Sequence, residues 1–145
     1  MKIKIIKTSY DPDTLTSIVV INTDLGEFLG KARLHEEDKD IESSFAGYQY
    51  AEMRAIIKYM KRKAEIAKYK MQSLDNCIKS LVCKTGYEHN SLEARTLRKH
   101  YYIMKKEKMD WDNRITSLHQ KLYDSMKNRR KVVDEMKNKT KGDEK

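Results

Sequence analysis

Two stretches of the chain repeat apolar residues at alternating intervals of three and four. The first comprises Met53, Ile57, Met60, Ala64, Ala67, Met71, Leu74, Ile78 and Leu81. The second comprises Leu97, Tyr101, Met104, Lys108, Trp111, Ile115, Leu118, Leu122, Ser125, Arg129, Val132 and Met136. This spacing draws a single seam along a helix, to be buried against another helix. Between the two series, Lys84–Asn90 contains Gly86 and offers a place for the chain to reverse. The pattern therefore predicts an antiparallel hairpin with helices over about 40–83 and 91–137. A reversal near Tyr87 makes the numbers of facing residues add to about 174, which sets Trp111 over the small side chains of Ala64 and Ala67.

The first 37 residues follow a different period. Ile3, Ile5 and Thr8 begin a first strand, and Asp11-Pro12-Asp13 supplies turn chemistry. Leu15 to Ile21 is β-branched enough for a central strand. Asn22–Gly26 reads as a hairpin loop, and Glu27–Leu34 as a third strand. Gly30 and Ala32 would let another backbone approach closely. The acidic stretch Glu36–Asp40 is placed to cap the first helix through Asp38 or Asp40. Asn90 with Glu93 resembles a capping box for the second. The predicted fold class is α+β: a small N-terminal antiparallel three-stranded sheet, then a long antiparallel two-helix coiled-coil hairpin. By segment this is a β-meander over 1–37, a hairpin over 38–137 and a flexible basic tail over 138–145, one structural domain overall.

Lys108, Ser125 and Arg129 break the apolar register, and such breaks fix register or serve a site at some cost in stability. Ile56, Ile66, Tyr102, Ile103, Tyr123, Met126 and Val133 widen the stripe beyond a two-stranded seam. A lone hairpin of this length buries little apolar area per residue. Hairpins from two or more chains are therefore expected to zip together, making a homo-oligomer, a dimer or higher.

Charge changes the picture next. The net charge is +9, unevenly spread. Residues 1–45 carry six basic and nine acidic groups, and residues 46–145 carry twenty-five and thirteen. The positive field thus lies on the helices, where it attracts phosphate-bearing partners and disfavours a DNA-mimicking role. The longest uninterrupted β-branched run is Ile18–Ile21, and Met1–Lys7 alternates lysine with isoleucine. Neither spans a membrane nor forms a signal peptide, so a cytoplasmic location in the host cell is expected. Cys77 and Cys83 are spaced for neither zinc nor redox work, and His35, Glu36 and Asp38 have no ligand-specific spacing. No cofactor is implied. With no nucleophile elbow, phosphate loop or zinc-protease motif, the chain does not read as an enzyme.

Three basic constellations remain. Arg98, Tyr102, Lys105, Lys106, Met109 and Asn113 share one face of the second helix, combining charge, a stacking ring and an amide able to read a base edge. Lys127–Lys131, with Arg129 and Arg130, returns beside Phe45, Tyr48, Tyr50 and Arg54 near the sheet. Such a corner can enclose a small anionic ligand, and arginine's planar fork suits phosphate. Lys58, Lys61, Arg62, Lys63, Lys68 and Lys70 wrap around the first helix and read as a solvated surface. The candidate ligand-binding residues are Tyr48, Arg54, Arg98, Tyr102, Asn113, Arg129 and Arg130.

Asp24-Leu-Gly-Glu-Phe-Leu-Gly-Lys-Ala32, then Glu37-Asp38, Gly47, Ala51 and Arg54-Ala55, is similar to small early proteins of phages and prophages from Gram-positive hosts. The length and the order of sheet then hairpin resemble the phage anti-Thoeris sponge family. The resemblance covers about a third of the chain and implies an oligomer that sequesters a cyclic nucleotide immune signal, such as glycocyclic ADP-ribose or a cyclic oligonucleotide. No ligand residue is transferred from that family. The alternatives are a nucleic-acid- or ribonucleoprotein-binding inhibitor, for instance of a CRISPR effector, and a purely structural coiled-coil phage protein.

Overall fold

The computed structural model describes residues 2–33, 44–85 and 91–143. Strands β1 (Lys4–Asp11), β2 (Thr16–Thr23) and β3 (Gly26–Arg33) precede helices α1 (Ser44–Thr85) and α2 (Leu92–Asp143). The strands form one antiparallel sheet in the order β1-β2-β3, and the α+β class with paired helices is the observed architecture. Two compact units divide the chain: Met1–Tyr59 with Thr116–Lys145, and Met60–Ile115.

In the first unit β2 is central, and its Ser17, Val19 and Ile21 are buried in alternation. Leu15, expected to open this strand, instead lies in the preceding turn at φ 54° with its side chain buried. The Asp11 carboxylate accepts the Asp13 N–H at 2.9 Å there, an Asx turn that delays the strand by one residue. The β2–β3 connection is tighter than the five-residue loop expected. Thr23 already pairs with Gly26, whose φ of 102° would strain a side-chain-bearing residue.

Gly30 sets the distance between sheet and helix. A Cβ there would overlap the Ala51 carbonyl oxygen and come within 2.6 Å of the Ala55 nitrogen. At Gly47 of α1 a Cβ would instead overlap the Ser17 side chain of β2. Ala51 and Ala55 are wholly buried by this close approach. Further along α1, Tyr59 is buried, lies edge-on to Phe28 at 5.7 Å and donates its hydroxyl to Asp24 at 2.6 Å.

The adjoining face of α1 packs on α2. In the first unit the Tyr50 hydroxyl donates to the Ser125 carbonyl at 3.2 Å. In the second, Cys77 and Leu81 of α1 line an apolar groove with Leu92 and Leu97 of α2. Both pairings are antiparallel and close to the predicted register. Among predicted seam residues, Met53 to Leu81 and Leu97 to Arg129 are all buried or half-buried. Beyond Arg129 the seam departs from prediction: Val132 and Met136 are 46% and 49% exposed, whereas Val133 is 3% exposed. A straight helix drifts by about 20° per heptad against a strict seven-residue repeat. Over several heptads the buried position moves to the neighbouring residue.

The helix bounds also differ from those predicted. α1 runs to Thr85, and α2 continues beyond 137 to Asp143 through lysine-rich sequence without a breaker before Gly142. At the start of α2 the Ser91 Oγ accepts the Ala94 N–H at 3.2 Å, a capping bond. The proposed caps at Asp38 and Asp40, the His35 cluster, the Gly86 reversal and Asn90 lie outside the described residues.

Candidate functional site

The sheet end of the first unit gathers four of the seven candidates. Tyr48 and Arg54 are half-buried on α1, and Arg129 is half-buried on α2. The seam carries Arg129 inward because it occupies a register position at which other turns place Leu122 and Leu118. Its charge reaches Tyr50: burial pushes the Tyr50 phenol above its ordinary 10.0, while the Arg129 guanidinium pulls it back. Neighbouring Arg130 faces differently. It is exposed and pairs with Asp134 on its own helix at 3.4 Å.

Arg54 has a structural task that the sequence does not announce. Its Nη1 donates to the Lys31 carbonyl at 2.7 Å, and one turn on Lys58 donates to the Leu29 carbonyl at 2.7 Å. Donors four apart on a helix are about 6 Å apart along its axis, close to the rise between alternate residues of a strand. The pair therefore covers the free edge of β3. Lys58, grouped above with solvated lysines, belongs to this clamp. Arg62 of that group pairs with Glu65 at 3.1 Å on the surface.

Tyr10 is the feature missed from sequence. Its hydroxyl is buried and, among the described residues, has no hydrogen-bond partner. It lies opposite Ser17 on the sheet, and Ser17 in turn meets Gly47, so it shares an end of this unit with Tyr48. Strand alternation could have placed Tyr10 on the helix-facing side. Only the packing of α1 reveals that its hydroxyl is left unsatisfied.

Arg98, Tyr102 and Asn113 belong to the second unit. Arg98 is half-buried, Asn113 is exposed, and Tyr102 is 63% exposed beside Tyr101, with ring centroids 5.7 Å apart. Met109 on the same face is also exposed. In this unit Lys108, a polar break in the seam, is answered by Asp112 at 2.7 Å. Trp111 is half-buried and carries the Arg114 guanidinium 4.8 Å above its ring.

Among the described residues there is no cluster of three or more His, Cys, Asp or Glu that could hold a metal ion. Cys77 is exposed and unpaired, and the Cys83 side chain lies outside the described residues. Among the described residues no helix is long and apolar enough to cross a membrane. The sheet end thus holds guanidinium groups and a tyrosine ring, side-chain types that suit an anion and a planar ring. Compared with protein-family models, curated proteins and solved structures, the chain matches none.

Proposed function

We propose that this is a non-enzymatic phage counter-defence protein acting in the host cytoplasm. It binds and sequesters a cyclic nucleotide immune signal, such as glycocyclic ADP-ribose, in basic pockets of a homo-oligomer. Two observations support the reading: an arginine drawn into the helix seam beside Tyr50, and, in the same unit, a buried Tyr10 hydroxyl with no partner among the described residues. A phosphate accepts charge-assisted hydrogen bonds from a guanidinium, and a phosphate or ribose oxygen would satisfy the Tyr10 hydroxyl. Tyr48 supplies a ring for a base, and Arg54 retains donors beyond the one given to Lys31.

Isothermal titration with cyclic nucleotides tests this. Arg129→Ala should weaken binding by about tenfold to a hundredfold, the loss of a hydrogen bond to a charged group. Lys61→Ala and Lys68→Ala should change it little. Heating the complex should release intact ligand; recovery of a cleaved product would instead establish hydrolysis.

A second reading, a nucleic-acid- or ribonucleoprotein-binding inhibitor such as an anti-CRISPR, is favoured by the exposed Tyr102–Asn113 face in the second unit. It requires affinity that falls steeply with salt and depends on Arg98 and Tyr102. A structural coiled-coil protein would bind neither class of ligand.

A further inference from the structure

The two edges of the sheet are treated differently. At β3, the outward carbonyls of Leu29 and Lys31 are occupied by Lys58 and Arg54. At β1, among the described residues, backbone hydrogen bonds run only to β2.

The ladder fixes which β1 groups face outward. Since the Leu29 and Lys31 carbonyls leave the sheet, Phe28, Gly30 and Ala32 direct their backbone groups to β2. Their partners Ile21, Val19 and Ser17 bond to β3, leaving Thr16, Ile18 and Val20 to bond to Asp11, Ser9 and Lys7 of β1. Thr8 and Tyr10 therefore present N–H and C=O groups off the β1 edge. A bulge between Ile5 and Lys7 limits the regular stretch to Lys7–Asp11.

We infer that this edge joins the same edge of a second copy of the chain, antiparallel about a two-fold axis at Ser9. In that register Thr8 and Tyr10 of the second copy exchange both backbone hydrogen bonds, and so does the reciprocal pair. Lys7 stands opposite Asp11 of the second copy at each end, and Ser9 opposes its own counterpart. A slip of one residue sets helix-facing side chains against outward ones. A slip of one pair in either direction sets Ser9 against Lys7 or Asp11 and leaves the charges unmatched. Lysine and a bulge ordinarily deter pairing at an edge. Here the lysine gains a carboxylate across the axis, and the bulge marks where pairing stops. Five residues from each copy make a small interface, so the dimer dissociates on dilution. This inference stands without the nucleotide reading.

Sedimentation of the full chain from about 5 to about 500 μM should show a reversible monomer–dimer equilibrium. Lys7→Asp opposes two carboxylates at each end and should weaken association about tenfold or more. Thr8→Pro removes an N–H that β2 does not use, so it should abolish pairing while leaving the far-ultraviolet circular dichroism unchanged. In the wild type, Thr8 and Tyr10 amide exchange should slow as dimer accumulates. A monomer at the highest concentration would overturn the inference. So would dimerisation unaffected by both substitutions, or free exchange of those two amides in the populated dimer.

Discussion

Replacing Gly30 with alanine adds a single methyl group at the point where α1 crosses the sheet. That methyl would overlap the Ala51 carbonyl oxygen and sit 2.6 Å from the Ala55 nitrogen, both parts of the helix backbone. No side-chain rotation relieves such a clash, so α1 must retreat by about 1.5–2 Å to restore ordinary contact. Overpacking of this kind costs about 1–3 kcal/mol. The retreat also stretches the 2.7 Å hydrogen bonds from Arg54 and Lys58 to β3, worth about 1 kcal/mol each at a solvent-accessible edge. A total of about 3–5 kcal/mol is a large share of the stability of an ordinary domain. For a chain of this size it corresponds to a fall in Tm of about 10 °C. Circular dichroism melts and urea titrations measure it, with the urea midpoint expected to fall at constant slope. Gly26→Ala is the control. Space there is open and only the backbone conformation is strained, so it should cost about 1 kcal/mol. A Gly30→Ala protein melting within about 2 °C of wild type, or less perturbed than Gly26→Ala, would refute the close-packing argument.

Three further outcomes follow from particular contacts. Tyr59→Phe removes the hydroxyl bonded to Asp24 at 2.6 Å beside the β2–β3 turn and should cost about 1–2 kcal/mol in urea unfolding. Burial holds the Tyr50 phenol above 10.0, so the folded state favours its protonated form. Its contribution is complete below pH 10 and is lost as pH rises through the folded-state pKa. Tyr50→Phe loses the hydroxyl's bond to the Ser125 carbonyl and should be less stable than wild type at neutral pH, and the difference should narrow above pH 10; a pH-independent difference would contradict this. The double substitution Arg54→Met and Lys58→Met uncovers the β3 edge, and light scattering should register increased self-association.

The helix seam was legible in the sequence because it rests on a repeated, local period. Every position from Leu97 to Arg129 assigned to it on α2 is at least half-buried. Legibility ended at Val132 because a small angular mismatch accumulates along a helix, and extrapolating a strict repeat cannot register it. The basic corner was partly legible for the same reason: helix register brings Arg129 back toward Tyr50. Lys58 is exposed as expected, but its bond to the Leu29 carbonyl was not legible, because a helix position does not reveal a strand carbonyl beside it. Tyr10 was missed because an unsatisfied hydroxyl is defined by what surrounds it, not by its residue type.

By itself, then, the sequence determined the α+β class, the antiparallel helix pairing and the need for small residues between sheet and helix. These depend on periodicity and side-chain size, which are properties of neighbouring residues along the chain. Only the tertiary structure decided which sheet edge is covered and which hydroxyl is stranded. Those outcomes depend on groups such as Arg54 and Lys31, or Tyr50 and Ser125, that are distant in sequence and meet only after the backbone has packed.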